Sequence, residues 1–434
     1  MNEALPLGLR LYRFLAAAGA PLTSVLLARR LARGKELRER IGERRGESSA
    51  ERPPGPLVWL HGASVGELLS VLPLIERLSA RGLNVLVSSG TVTSSGLAAQ
   101  RMPAGVIHQF IPLDVPKFVA RFLDRWQPQL ALFVESDLWP NALIETARRK
   151  VPIVLVNARL SERSFRRWQK VPGSIGHLLA RFDLCLARTP PDADRLSQLG
   201  ARNVFVSGNL KIDVPAPPAD EAALAALKAA IADRPLIAAA STHPGENELI
   251  IAAHKRLRAT TPDLLTLIAP RHPERGPEIA ALAREAGLAA ALRSQGALPD
   301  AATDIYVADT MGELGLIYRI APVVFIGGSL VPHGGQNPIE PAKLGAAILH
   351  GPHVSNFEEV YGALDAAHGA EAVDSGEKLT AAFSTMLAQP AVRNRVAQAG
   401  RNAVNSLGGA LERTMQALEP YLTKVQRRRD NAHA

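Results

Sequence analysis

The stretch Pro56-Leu57-Val58-Trp59-Leu60-His61-Gly62-Ala63-Ser64-Val65-Gly66-Glu67 leaves this chain few ways to fold locally. Leu57 to Leu60 read as a buried strand, and Leu68, Val71, Leu72, Ile75 and Leu78 then recur at helical spacing, so Gly62 and Gly66 fall in the connection. The unit is strand, tight turn and helix, with Glu67 at or near the first helical turn. Ligands of open α/β sheets bind beyond the carboxyl ends of the strands, and a helix N-terminus favours an ionised carboxylate. Glu67 is therefore expected to be charged and able to accept a proton. The same position also suits a glutamate that only complements the helix dipole.

The pattern repeats. Strand-like runs at Asn84 to Ser88, Leu130 to Glu135, Ile153 to Asn157, Leu184 to Ala187 and Val204 to Ser207 alternate with helical ones, the signature of a doubly wound sheet. Asp213-Val214-Pro215-Ala216-Pro217-Pro218-Ala219-Asp220 interrupts it with prolines that stiffen the chain, and reads as a linker. The alternation restarts at Leu236 to Ala240, Leu264 to Ala269, Ile305 to Ala308, Val323 to Gly327 and Ala346 to His350. Two Rossmann-like α/β halves facing across a cleft are expected, an arrangement suited to a two-substrate transfer.

Composition agrees. A chain of 434 residues exceeds one comfortable core, and its 47% hydrophobic content is carried by Ala, Leu, Val and Ile, with only 5% aromatic. The lone cysteine, Cys185, excludes an internal disulfide and any multi-cysteine metal site, and its strand-like surroundings make it a buried, inert thiol. A net charge of +9 calls for anionic partners. No nucleic-acid motif accompanies it, which leaves phospholipid and phosphorylated substrate. The C-terminal Lys424 and Arg427-Arg428-Arg429 read as a solvated basic tail.

Near the N-terminus, Phe14 to Ala28 are fifteen uncharged residues, where a membrane-spanning helix needs about 20. Gly19-Ala20-Pro21 weakens a straight helix there. Leu7, Leu11, Phe14, Leu15, Leu22, Leu26 and Leu27 beside Arg10, Arg13, Arg29, Arg30 and Arg33 suit a helix lying on an anionic membrane surface, with a span or signal peptide and an amphipathic helix packed on its own protein as the alternatives.

Four stretches of the second half follow strand ends: Ser241-Thr242-His243-Pro244-Gly245-Glu246, Pro270-Arg271-His272-Pro273-Glu274-Arg275, Asp309-Thr310-Met311-Gly312-Glu313-Leu314, and Gly327-Gly328-Ser329 continuing to His333-Gly334-Gly335-Gln336-Asn337-Pro338-Ile339-Glu340-Pro341. In the last, the glycines permit close backbone approach, and Asn337 is placed to cap a helix beginning at Pro338, whose exposed amides favour a phosphate. Glu340 is positioned to accept bonds from ribose hydroxyls, and Arg271 supplies a planar cationic fork. The Met311-Gly312-Glu313 turn offers backbone groups to a base edge. His243 and His272 lack the partners of a metal site, and Asp192-Ala193-Asp194 reads more simply as a helix start than as a metal motif.

These segments, with Ser64-Val65-Gly66-Glu67, Leu138-Trp139-Pro140-Asn141, Asn157-Ala158-Arg159-Leu160-Ser161-Glu162-Arg163-Ser164 and Gly208-Asn209-Leu210-Lys211, resemble the Kdo transferases, which add 3-deoxy-manno-octulosonic acid to lipid A precursors in Gram-negative bacteria. The similarity runs almost end to end. It implies a GT-B fold, a CMP-Kdo donor, a phosphorylated lipid A precursor as acceptor, no metal or cofactor, and attachment to the cytoplasmic face of the inner membrane. The implied organisation is a membrane-associating segment at 1–48, an acceptor-binding domain at 49–212, a linker at 213–220, a CMP-sugar-binding domain at 221–410, and a helix with basic tail at 411–434.

Carried over by position, the resemblance makes Glu67 the general base, with Asp137 and Lys211 as further catalytic residues. Pro270, Arg271, Met311, Gly312, Glu313, Asn337, Pro338, Ile339 and Glu340 hold CMP. Ser64, Gly66, Glu135, Ser241, His243, His272 and Ser329 make other donor or acceptor contacts. Two positions depart from the family pattern: Glu135-Ser136-Asp137 stands where Glu-Thr-Glu is common, and Gln336 where His is frequent. Attack of the lipid hydroxyl opposite departing CMP gives inversion. A nucleotide-sugar epimerase of the same two-domain architecture and a non-catalytic sugar-phosphate binder are the competing readings.

Overall fold

The computed structural model describes residues 5–433 and divides into two compact units, residues 1–214 with 408–434, and residues 215–407. The first unit holds a seven-stranded sheet: β1 (Leu57–His61), β2 (Asn84–Ser89), β3 (Ile107–Phe110), β4 (Leu130–Val134), β5 (Ile153–Ala158), β6 (Leu184–Ala187) and β7 (Val204–Val206), in the order β3-β2-β1-β4-β5-β6-β7. The second holds β8 (Leu236–Thr242), β9 (Leu265–Pro270), β10 (Ala290–Leu292), β11 (Ile305–Val307), β12 (Val323–Ile326), β13 (Ala347–His350) and β14 (Ala370–Ala372), in the order β10-β11-β9-β8-β12-β13-β14. Every pairing in both sheets is parallel.

Parallel strands covered by helices on both faces must be apolar throughout. β1 shows this: Leu57 and Trp59 enter the core on one face of the sheet, and Val58 and Leu60 enter the core on the other. Cys185 is buried in β6, where burial pushes its thiol up to about 12, so it stays protonated. The three strands not anticipated from sequence, β3, β10 and β14, are all edge strands. β3 (Ile-His-Gln-Phe) and β14 (Ala-Glu-Ala) carry polar residues and β10 is Ala-Ala-Leu, so none shows the bulky apolar run that marks the equally short β7 and β11.

Strand order fixes where each sheet can bind. Chain direction across the first sheet reverses between β1 and β4, and across the second between β8 and β12. The loops beyond those strand ends diverge and leave a crevice. At the second crevice Gly327 is needed for close approach, since a Cβ there would lie 2.4 Å from the Ser241 carbonyl oxygen.

The N-terminal segment forms helices Leu7–Ala18 and Thr23–Ala32, separated by a break at Gly19 to Leu22. Among the described residues no single helix is long and apolar enough to cross a membrane, and the two helices meet at a 51° bend. Leu7, Leu11, Phe14, Leu15, Leu22 and Leu26 are exposed, as an interfacial helix requires. Leu27, expected on the same stripe, is 1% exposed and belongs to the protein interior. Tyr12 and Arg13 anchor the first helix: Tyr12 Oη donates to Asp114 at 2.9 Å, and Arg13 bonds to Asn141 at 3.2 Å and Glu145 at 2.7 Å.

The C-terminal segment is a helix on which Lys424 and Arg427 are exposed. Ala410–His433 buries Met415, Leu418, Leu422 and Val425 against the first sheet, and Asp213 accepts the amides of Gly409 and Leu411 near its start. The side chains of Arg428 and Arg429 lie outside the described residues.

Candidate active site

At the first crevice, β1 ends at His61 and the chain turns through Gly62, Ala63 and Ser64 into helix Val65–Ala80. Ser64 is the N-cap. Its hydroxyl accepts the Glu67 amide at 3.3 Å and donates to Glu67 Oε1 at 2.8 Å, and the Ala63 amide donates to Glu67 Oε2 at 2.7 Å. The carboxylate is thus folded back over the turn, a variant of the capping box. Gly66, one residue before it, is exposed.

The expectation of an ordinary charged glutamate is corrected here. Burial first, then the nearby Asp137 and Glu135 charges, push Glu67 up to about 7, against the Ser64 and Ala63 hydrogen bonds that pull it down. Burial outweighs the helix terminus, and the result is a carboxylate poised for general base work near neutral pH.

Glu135 and Asp137 come from the loop after β4. Glu135 sits at φ 59°, a left-handed conformation rare for a residue with a side chain, and its carboxylate pairs with Lys211 Nζ at 2.7 Å. Lys211 belongs to the short helix Leu210–Asp213, capped by Asn209 and held by Asn157, whose side-chain oxygen accepts the Leu210 amide at 3.0 Å. Burial raises the Asp137 carboxyl, with Glu135 adding to the shift and the Trp139 indole and Ala63 amide opposing it. Glu67, Asp137, Glu135 and Lys211 are therefore gathered at one switch point. His61, not anticipated, lies beneath them with Nε2 3.6 Å from Asp137 Oδ2.

The second crevice gathers Ser241, His243, Arg271 and His272 beyond β8 and β9 with His333 and Gln336 from the loop after β12. Ser241, at a bulge, has φ 57°. His243 stacks on His333 at 4.2 Å between ring centroids, faces His272 at 6.3 Å and meets Gln336 at 3.2 Å. Burial, then His333, His272, Arg271 and Arg275, lower His243 to about 4, so it is neutral at pH 7. The Arg271 side chain is exposed, following Pro270 at the end of β9.

At the start of the glycine-rich loop Glu246, fully buried, occupies the backbone amides: Oε2 accepts from Gly328 at 2.7 Å and His243 at 2.9 Å, and Oε1 from Leu330 at 3.0 Å and Ser329 at 3.1 Å. Ser329, expected to touch ligand, is buried with its hydroxyl bonded to Ile326 and Gly351. The following helix begins at Ile339 rather than Pro338. Pro338 is its N-cap, and Asn337 just before it accepts the Ile339 amide at 3.0 Å and donates to Glu340 at 3.1 Å, while burial raises the Glu340 carboxyl.

Beyond β11, Gly312 adopts φ 84° beside exposed Met311, and the Glu313 carboxylate is gripped in bidentate fashion by Arg293 at 2.7 and 2.8 Å and bonded by Thr310. Arg293 holds Glu313 below the usual carboxylate range. Sequence reasoning missed Arg293, as it missed the role of Glu246. Asp192 serves a helix start, accepting from Leu160 N and Thr189 Oγ1. Among the described residues no three His, Cys, Asp or Glu side chains are gathered as a metal site.

Residues 35–214 match the family model described as 3-deoxy-D-manno-octulosonic-acid transferase (kdotransferase). The chain is 34% identical to the 3-deoxy-D-manno-octulosonic acid transferase of Haemophilus influenzae over 89% of its length and 92% of the relative's. It is 37% identical to that of Bordetella pertussis over 93% and 97%. Among solved structures, a glycosyltransferase from Rickettsia africae superposes with a TM-score of 0.58 at 11% identity, over 85% of this chain and 99% of that one. A UDP-GlcNAc 2-epimerase from Neisseria meningitidis gives 0.58 at 13%, over 85% and 100%. At such identities the likeness speaks to fold alone, an α/β fold of GT-B type. With this similarity running nearly end to end, the chain belongs to the 3-deoxy-D-manno-octulosonic acid transferases, a family of glycosyltransferases.

Proposed function

We propose that this protein is an inverting, metal-independent transferase that moves Kdo from CMP-Kdo to a hydroxyl of a phosphorylated lipid A precursor in lipopolysaccharide inner-core synthesis. The observation that carries the mechanism is Glu67 itself. Its carboxylate lies at a strand end, raised to about 7 by burial and by Asp137, and is fixed by Ser64 and Ala63. Glu67 takes the acceptor proton as the acceptor oxygen bonds to the anomeric carbon. The bond from that carbon to the phosphate oxygen breaks, and its electron pair leaves with CMP.

The second unit binds the donor. Arg271 and the neighbouring His243 and His272 meet the phosphate, Glu340 and Asn337 the ribose, and the Met311 to Glu313 turn the base. A single phosphate leaving group suits a few cations and backbone dipoles. Lys211 balances Glu135 and stabilises negative charge near the acceptor. The exposed Leu7, Leu11, Phe14 and Leu15 support a first unit resting on the cytoplasmic leaflet of the inner membrane, the surface from which a lipid acceptor would be reached.

Transfer of labelled Kdo to tetra-acylated lipid A precursor tests the reading. Glu67→Gln should lose about 10²-fold or more of the rate. Activity within a few-fold of wild type overturns the base assignment, and CMP release that ignores the lipid acceptor overturns the transferase.

A further inference from the structure

His61 is sealed inside the first unit. Its ring is fully buried and enclosed by Trp59, Phe133 and Trp139, with centroids 6.4, 5.7 and 6.1 Å away. Among the described residues, Ser88 and Asp137 are the polar neighbours that reach it. Nδ1 lies 2.9 Å from Ser88 Oγ and 3.2 Å from the Ser88 carbonyl oxygen, and Nε2 lies 3.6 Å from Asp137 Oδ2. Neither Nε2 nor Asp137 Oδ2 has any hydrogen-bond partner, and both atoms are shut off from solvent. Two buried acceptors do not face each other without a proton between them.

The bonds behind the ring are compatible with that proton on Nε2. Trp59 Nε1 is a donor only, and it donates to Ser88 Oγ at 2.8 Å. The Ser88 carbonyl oxygen already accepts the Gly62 amide at 3.1 Å. The Ser88 hydroxyl is satisfied when it accepts from Trp59 and gives its own proton to His61 Nδ1. The imidazole proton then sits on Nε2, aimed at Asp137.

We propose that His61 is a positioning residue, a neutral Nε2–H donor to Asp137 Oδ2 that keeps Asp137 ionised, so that the acceptor's proton goes to Glu67 alone. Across 3.6 Å the Nε2–H dipole favours the ionised carboxylate already in the free protein. The charged groups around this pair are Glu67 on the helix after β1, Glu135 on the same loop as Asp137 with its partner Lys211, and Arg44, whose positive charge helps keep His61 unprotonated. The relay Trp59–Ser88–His61–Asp137 runs under the turn that carries Glu67, so the acid–base state of the site is set from inside the core.

This inference rests on Glu67 being the base, and its test separates the two. In wild-type protein labelled with 15N at its eleven histidines, the His61 signals are identified by their loss in His61→Gln. The expected finding is the Nε2–H tautomer, neutral from pH 5 to 8. An Nδ1–H tautomer or a charged ring overturns the proposal whatever the fate of the base assignment. The pH profile of kcat/KM gives the second arm. In His61→Phe, Asp137 takes up a proton, the repulsion that raises Glu67 disappears, and the acidic limb moves down by about half a pH unit or more, with kcat about tenfold lower. His61→Gln, whose amide can donate from the same place, restores the wild-type limb. A Phe variant that keeps the wild-type limb, or a Gln variant that does not restore it, overturns the proposal. Glu67→Gln in the same assay reads the base assignment separately.

Discussion

Ser64 and Glu67 hold each other in both directions: the Ser64 hydroxyl donates to the Glu67 carboxylate at 2.8 Å while the Glu67 amide donates back to that hydroxyl at 3.3 Å. One pair of residues both starts the helix and restrains the proposed base. The arrangement fixes the carboxylate without a second protein charge, leaving burial and the neighbouring acids to set its proton affinity.

The pH dependence follows from that balance. A base must be ionised to act, so kcat/KM should rise with pH and level off above about 7, the value to which Glu67 is raised. Initial rates of Kdo transfer between pH 5 and 9 would measure the limb. A limb near 4.5, the value of an ordinary glutamate, would remove Glu67 from that role.

Ser64→Ala removes both the cap and the hydrogen bond that favours the ionised carboxylate. Stability should fall by about 1 kcal/mol. Because that bond lowers Glu67, its loss raises Glu67 further, and the acidic limb should move to higher pH, opposite to the shift expected for His61→Phe.

The stability of Glu67→Gln carries its own sign. A carboxyl whose folded value is raised above its unfolded one stabilises the fold most below the unfolded value, and that contribution is lost as pH rises through about 7. The glutamine variant should therefore melt roughly 2 °C above wild type at pH 8 and gain nothing at pH 5, measured by thermal unfolding.

Glu246 is the internal anion of the second unit. Glu246→Gln turns an amide donor toward backbone donors and should lower the unfolding free energy by about 2–4 kcal/mol in urea titrations. Because the loop it holds leads into Gln336 and Asn337, the same variant should raise KM for CMP-Kdo more than it lowers kcat.

Arg293→Ala frees the Glu313 carboxylate and loosens the turn at Gly312. CMP binding, measured by calorimetry, should weaken about tenfold, the scale of one lost charge-assisted contact. An unchanged affinity would take the Met311 to Glu313 turn out of the nucleotide site.

Replacing Leu11, Phe14 and Leu15 together by serine removes exposed apolar surface without touching the anchors Tyr12 and Arg13. Binding to vesicles containing anionic phospholipid should fall at least tenfold, since each side chain contributes about 1.5–3 kcal/mol when fully buried. Transfer to a detergent-dispersed acceptor should persist.

The sequence alone determined what repeats and what is local. Apolar runs of four to six residues, each followed by a helical period, gave the interior strands of both sheets, because a strand covered on both faces must be apolar along its length. The edge strands β3, β10 and β14 escaped because polar or small residues break their apolar runs. The motif at Ser64 to Glu67 announced a carboxylate at a strand end, and Leu27 shows the limit of reading faces from spacing: it shares the apolar stripe but packs inward.

Only the tertiary structure decided how these groups behave. The proton affinity of Glu67 depends on Asp137 and Glu135, delivered from β4 by the strand order. That long-range charge and burial outweigh the local helix-terminus effect that its own sequence neighbourhood supplies. The glycines after β12 marked a backbone open to close approach, yet the amides of residues 328 to 330 are already taken by Glu246, from the first turn of helix Glu246–Leu257. Glycines in a sequence show where a backbone can bend. Which anion reaches it is set by what the fold brings alongside.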